Sequence, residues 1–416
     1  MISVRRRNAF SGRRAEAFAS LACCALLAVT VTSNAQVAGH ATAPLVAAHN
    51  ASGQMLFRQL DDKPGNIVFS PHSVATAMDM TLAGARGATQ AQMKSALQQT
   101  LPFEDINAAN KALREQIARD AGSGIKNLSA NALMLTGAEI SKDYVDLLRS
   151  EYGAEVFADA TADTVNNWVS GKTEGKIPTL LGKVERGGAV ILNAVYFKAA
   201  WQQKFDAKQT KDGEFHLSAR QKVKVPTMRQ RGSFAYVDHK TFDAIRLPYS
   251  GSDTIAMVVV RPAQIEGVKG VAAALGAEPL AALFDQLRQA KPATVDLALP
   301  RFRAEFQANL GAAFKTAGMT DAFSEGKADF AGMTAKPGAD RLYIGGIVHK
   351  AFIDVGEEGA EAAAATAVVM SRARSMPNPR ITTFHVDRPF LFYIVDMDSG
   401  AILFQGRISN PGSKPG

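Results

Sequence analysis

The chain has 416 residues, with 47 Lys or Arg against 39 Asp or Glu, and 47% of its positions are apolar. That composition excludes a disordered chain. A charge of +8 without a basic tract gives no argument for nucleic acid as a partner, and two cysteines are too few for a disulfide scaffold.

The chain opens MISVRRRNAFSGRR, runs apolar from Ala17 to Val31 and then reads Ser33-Asn34-Ala35. A basic start, a short apolar stretch and small residues at a cut site describe a secretory signal peptide over residues 1–35. The apolar run is too short for a comfortable transmembrane helix. The pairs Arg6-Arg7 and Arg13-Arg14 hint at twin-arginine export, but the residues around them fit that pattern poorly. Much of the apolar run follows Cys23 and Cys24 instead of preceding them, which argues against a lipid anchor there. Cleavage leaves 42 basic and 38 acidic residues and no cysteine. The expectation is a secreted or periplasmic protein, free of the membrane after cleavage and stabilised by its core.

Farther along, Ser70-Pro71 followed by HSVATAMDMTLAGARG gives an N-cap, a Pro at the first helical position and apolar residues at four-residue spacing up to Gly84. A second helix is expected in ATQAQMKSAL, and others over 144–151, 164–172 and 307–317. Strand-like runs occupy 189–201, 242–249, 254–260, 295–306, 341–355 and 384–397. AILFQGRISNP reads as the hairpin partner of the last run, across Asp398-Ser399-Gly400. Long β-rich runs separated by helices, without a βαβ beat, favour an α+β protein with antiparallel or mixed sheets.

Chemistry for an enzyme is missing. There is no GxSxG, HExxH or P-loop, and the seven histidines have no metal-ligand spacing. Asp396-Met397-Asp398-Ser399-Gly400 begins like a calcium loop, but its twelfth position is Arg407 where a Glu is required. No cofactor or metal is expected.

One segment is unusual. Residues 356–379 read GEEGAEAAAATAVVMSRARSMPNP. Taken as a strand, alternate positions from Ala360 are Ala362, Ala364, Thr366, Val368 and Met370, all small or apolar. The other face holds Glu361, Ala363, Ala365, Ala367 and Val369, so the one charge lies on the face that can stay solvated. No proline interrupts Glu357 to Met376, and no ladder donor is missing. An Ala-rich helix is the competing reading, which Thr366 and the valines weaken.

FHVDRPFLFYI (384–394) resembles the C-terminal signature of the serpin family. VHKAFIDVGEEGAEAAAATAVV resembles the strand that leads into that family's reactive-centre loop. NIVFSPHSVATAMDM, NNWVSGKTEGKIPTLL, ILNAVYFKAAWQQKF and VDLALPRFRAEF resemble family segments in the right order, over residues 44–412. The resemblance implies a single serpin domain of three β-sheets and eight or nine helices, after a linker over 36–43 and before a tail over 413–416. It implies a monomer whose exposed loop, about 357–379, is cleaved by a serine protease that is then held as a covalent acyl-enzyme. The loop next inserts into the largest sheet, a strand addition that releases stored strain.

The same resemblance carries over single positions. Glu357, Glu358, Gly359, Ala360, Glu361, Ala362, Ala363, Ala364, Ala365 and Thr366 form the loop hinge. Counting seventeen positions from Glu357 puts Ala373 before the scissile bond, and a loop one residue shorter or longer puts Arg372 or Arg374 there. Ala373 suits an elastase- or subtilisin-like enzyme, and either Arg a trypsin-like one. Ser70, Ser73, Asn193 and His349 match the polar cluster where the main sheet parts. Trp201 matches an aromatic at the top of the sheet, and Arg301 stands where a partner for Glu357 is expected. Two other readings stay open: a non-inhibitory carrier or chaperone of the family, and inhibition of a papain-like cysteine protease.

Overall fold

A helix over residues 42–60 (α1) crosses a second, α2 (Pro71–Gly84), where Gly53 leaves room: a Cβ there would meet that of Pro71 at 2.5 Å. The Ser70 side chain caps α2 by accepting from the Ser73 amide at 3.1 Å. These coordinates come from a computed structural model that describes residues 42–136, 139–182, 188–336, 342–360 and 381–413. The remaining helices are α3 (Gly87–Ala96), α4 (Phe103–Ala121), α5 (Lys142–Leu147, extended by a π turn), α6 (Ala162–Lys172), α7 (Val268–Ala274), α8 (Ala277–Gln289) and α9 (Gly311–Thr316).

The strands are β1 (Ile67–Phe69), β2 (Ile125–Thr136), β3 (Glu155–Ala158), β4 (Gly188–Ala200), β5 (Lys211–His216), β6 (Lys222–Asp238), β7 (Phe242–Pro248) and β8 (Ile255–Pro262). They continue with β9 (Ala293–Pro300), β10 (Phe302–Asn309), β11 (Ile344–Gly356), β12 (Gly359–Ala360), β13 (Thr382–His385), β14 (Phe390–Asp396) and β15 (Ile402–Ile408). The main sheet runs β10–β11–β12–β4–β2–β3. Two further sheets share β6: Ala235–Asp238 pair with β7, and the earlier residues pair with β5 and β9. The chain is α+β, with three sheets and nine α-helices among the described residues, as expected from the sequence.

Three expected elements differ. The run 295–306 is two strands in different sheets, because the Arg301 amide bonds to Pro226 O at 2.9 Å and the chain there leaves β9's sheet for the main one. The run 384–397 is broken between His385 and Phe390, where Pro389 has no N–H for a ladder. The segment 307–317 is strand to Asn309, held against β11, and only Gly311–Thr316 is helical.

Alternation in β4 sets the two faces of the main sheet. Ile191, Val195, Phe197 and Ala199 join the large core over α2, whereas Leu192, Ala194 and Tyr196 pack with Val165 and Val169 of α6. Asn193 and His349 therefore face the large core, an apolar setting for polar side chains.

Candidate functional site

The centre of the main sheet is a parallel pair. β4 and β11 lie side by side from Ala189 and Ile344 to Tyr196 and Phe352, with Asn193 opposite His349. Above Phe352 a third strand comes between them. The chain turns at Glu357-Glu358 and returns as β12, antiparallel to both neighbours: Ala360 is opposite Val355 on one side and Ala199 on the other. Ala360 is fully buried on the core face.

Gly359 makes that entry possible. Its φ is +147°, and a Cβ there would stand 2.0 Å from Ala199 O. No other residue fits without displacing β4.

The turn is held from three directions. Trp201 donates its indole N–H to Gly356 O at 2.9 Å and its backbone N–H to Glu358 O at 2.8 Å. The ring is fixed by stacking on Tyr249, with centroids 4.7 Å apart. Phe205 N donates to Glu357 O at 3.0 Å, and Lys204 pairs with Glu358 at 2.6 Å. Arg301 reaches Glu357 Oε1 through Nε at 2.7 Å and also through Nη2, and the Thr210 hydroxyl donates to the same oxygen. Burial alone would raise the Glu357 pKa, but the Arg301 and Thr210 hydrogen bonds outweigh it and hold the carboxyl below its ordinary value.

Deeper, the polar cluster joins α2 to the sheet. Asn193 donates through Nδ2 to Ser73 O at 3.2 Å and also to Asn131 Oδ1. Its Oδ1 is thus the acceptor facing His349 Nδ1, so the imidazole carries its proton on Nδ1. The other ring nitrogen is buried without a partner, and the ring stands edge-on to Phe69 with centroids 6.2 Å apart. A second proton would find no acceptor, and burial pushes the His349 pKa down to about 3. Ser73 Oγ meets Ser129 Oγ at 2.6 Å.

The fold thus assembles two groups from distant segments: Ser70, Ser73, Asn193 and His349 under the sheet, and Trp201, Arg301, Glu357, Glu358, Gly359 and Ala360 at its top. Glu361, Ala362, Ala363, Ala364, Ala365, Thr366, Arg372, Ala373 and Arg374 lie outside the described residues. Sequence reading missed Ser129 and Asn131, which complete the lower group, and Thr210, Lys204 and Tyr249, which complete the upper one. The alternation through SANALML in β2 was the available signal for the first two.

Comparison with known proteins agrees with this architecture. Residues 47–411 match the family described as Serpin (serine protease inhibitor). The leukocyte elastase inhibitor of Equus caballus is 36% identical over 374 residues, covering 86% of this chain and 96% of that protein. Among solved structures, the thermophilic serpin tengpin in its native state superposes with a TM-score of 0.79 at 27% identity, over 88% of this chain and 94% of that one. Human thyroxine-binding globulin, complexed with thyroxine, gives 0.78 at 25%, over 90% and 100%.

Proposed function

The chain belongs to the serpin family and is a protease inhibitor, not an enzyme; from that premise we propose that it is exported and traps a serine protease by inserting its cleaved loop into the main sheet. The observation that carries this reading is β12. Gly359 and Ala360 of the hinge already lie between β4 and β11, antiparallel to each. A chain continuing in that direction replaces one parallel ladder, Ile344–Phe352 on Ala189–Tyr196, with two antiparallel ones. At about 1 kcal/mol net per hydrogen bond, a dozen inserted residues gain on the order of ten kcal/mol. That matches the whole stability of an ordinary domain.

Face alternation supports the same continuation. Ala360 faces the core, so period two puts Ala362, Ala364, Thr366, Val368 and Met370 on that side and Glu361 on the other. A protease joined to the loop as an acyl-enzyme travels with it, and its active site is distorted before water can release it.

The bait follows from pocket chemistry. Ala373 before the scissile bond fits an elastase- or subtilisin-like enzyme, a reading supported by relatives named for elastase inhibition. Arg372 or Arg374 in that place fits a trypsin-like target. A carrier reading draws on the likeness to thyroxine-binding globulin, and the small-residue hinge argues for insertion instead.

The test is to mix residues 36–416 with elastase-, subtilisin-, trypsin- and papain-like proteases and look for an SDS-resistant complex. Mass spectrometry of the released C-terminal peptide locates the cut. Cleavage without a complex against every enzyme would sink the trapping reading.

A further inference from the structure

Charged residues form a row across the top of the main sheet, on the face that carries α6. Arg303 on β10 is opposite Asp354 on β11, and Lys198 on β4 is opposite Lys126 on β2. Alternation sets the face: Phe352, Tyr196 and Ala130, an even number of residues along the same strands, pack on the α6 side. Two lysines directly opposite each other repel. Glu174, two residues past the end of α6, relieves this, its carboxylate meeting Lys126 Nζ at 2.6 Å and Lys198 Nζ at 3.5 Å. Glu174 reaches that place with φ +50°, uncommon for a residue with a side chain. One carboxylate thus serves two ammonium groups, and Lys198 has the looser contact.

The row is interrupted between Asp354 and Lys198, where β12 enters. Ala360 is opposite Val355 on one side and Ala199 on the other. A strand continuing in that register places its next residue, Glu361, opposite Asp354 and Lys198 and on the α6 face. We propose that Lys198 is a positioning residue for loop insertion: it receives the Glu361 carboxylate as the cleaved loop enters, and so fixes the register of the new strand. The inference rests on the insertion reading above. With Glu361 in place every charge in the row has an opposite charge beside it, Asp354 having Arg303 on its far side. Slipped registers lose this. Two residues deeper, the carboxylate would lie between Tyr196 and Phe352, whose rings are buried with centroids 5.9 Å apart, and an unpaired charge is costly there. Two residues shallower, it would lie between Ala200 and Gly356, which offer no cation.

The test is a charge-swap cycle on residues 36–416: wild type, Lys198→Glu, Glu361→Lys and the double variant. Melting temperatures are taken before and after one cut beyond Met370 by a protease that the protein does not trap, and the quantity read is the rise on cutting. Asp354 flanks position 361 from the other side, so each single change mixes two contacts and only the coupling isolates the pair. The rise in the double variant should exceed the additive value of the two single variants by about 2 °C or more. Uncut melting temperatures report whether each variant folds. Should Lys198→Glu fail to fold, Lys198→Met with Glu361→Gln closes the same cycle, with the same sign and about a quarter of the size. Additive rises overturn the role of Lys198 and leave insertion standing. No rise in the cut wild type overturns the insertion reading, and the role of Lys198 falls with it.

Discussion

The indole of Trp201 donates to the carbonyl of Gly356 at 2.9 Å, so the last residue of β11 is fastened to the residue that follows β4. In the insertion proposed above, entry begins at this joint. Trp201→Phe keeps a ring to stack on Tyr249 and removes the donor. It should lower unfolding stability by roughly 1 kcal/mol, the cost of a lost hydrogen bond with a partly buried acceptor left unpaired. Guanidinium titration gives the number, and an unchanged midpoint contradicts the clamp.

Ala360 occupies the first core-facing position of the entering strand. Ala360→Glu places a carboxylate there, and an unpaired buried charge costs several kcal/mol. Partition after cleavage should move by about a hundredfold toward release of free protease. Titration of residual protease activity against inhibitor measures it, with circular dichroism of the uncut variant as the folding control.

Glu357 has a carboxyl pKa below its ordinary 4.5: burial works against this and the Arg301 and Thr210 hydrogen bonds prevail. A depressed carboxyl pKa contributes stability that is present above about pH 4.5 and is lost as pH falls through the folded value. Glu357→Gln should therefore be less stable than wild type at pH 7, and the difference should vanish in acid. A difference independent of pH would show that the charge plays no part.

His349 and His72 both have pKa values lowered to about 3, with burial the largest cause. The unfolded chain takes up these protons below about pH 6.5 and the folded chain does not. Stability is complete above that value and falls by about 1.4 kcal/mol per pH unit for each imidazole below it. His349→Gln should flatten the slope between pH 6 and 4.5 by one proton's worth, read from guanidinium midpoints. An unchanged slope would mean that His349 is protonated in the fold.

Much of the fold was legible because its signals are local. Ser70-Pro71 caps α2 as its sequence indicates, and the strand-like runs in β4, β7 and β8 fall within a residue or two of their observed ends. α4 and β6 escaped notice, the one for its many charges and the other for Lys222, Lys224, Arg229 and Arg231 along its exposed positions. The run 295–306 passes between two sheets without a break in hydrophobicity, because alternation reports burial and not the identity of the neighbour. The Arg301–Glu357 pair followed from a family resemblance, since 56 residues separate its members. The demand on Gly359 came only with coordinates, from the closeness of Ala199 O.

The insertion account is tested most directly by the melting temperature before and after a single cut within residues 361–380, made by a protease that the protein does not trap. A gain on the order of ten kcal/mol predicts a rise on the order of 20 °C in the cut chain. An unchanged or lower melting temperature in a cut chain that is still folded would contradict it.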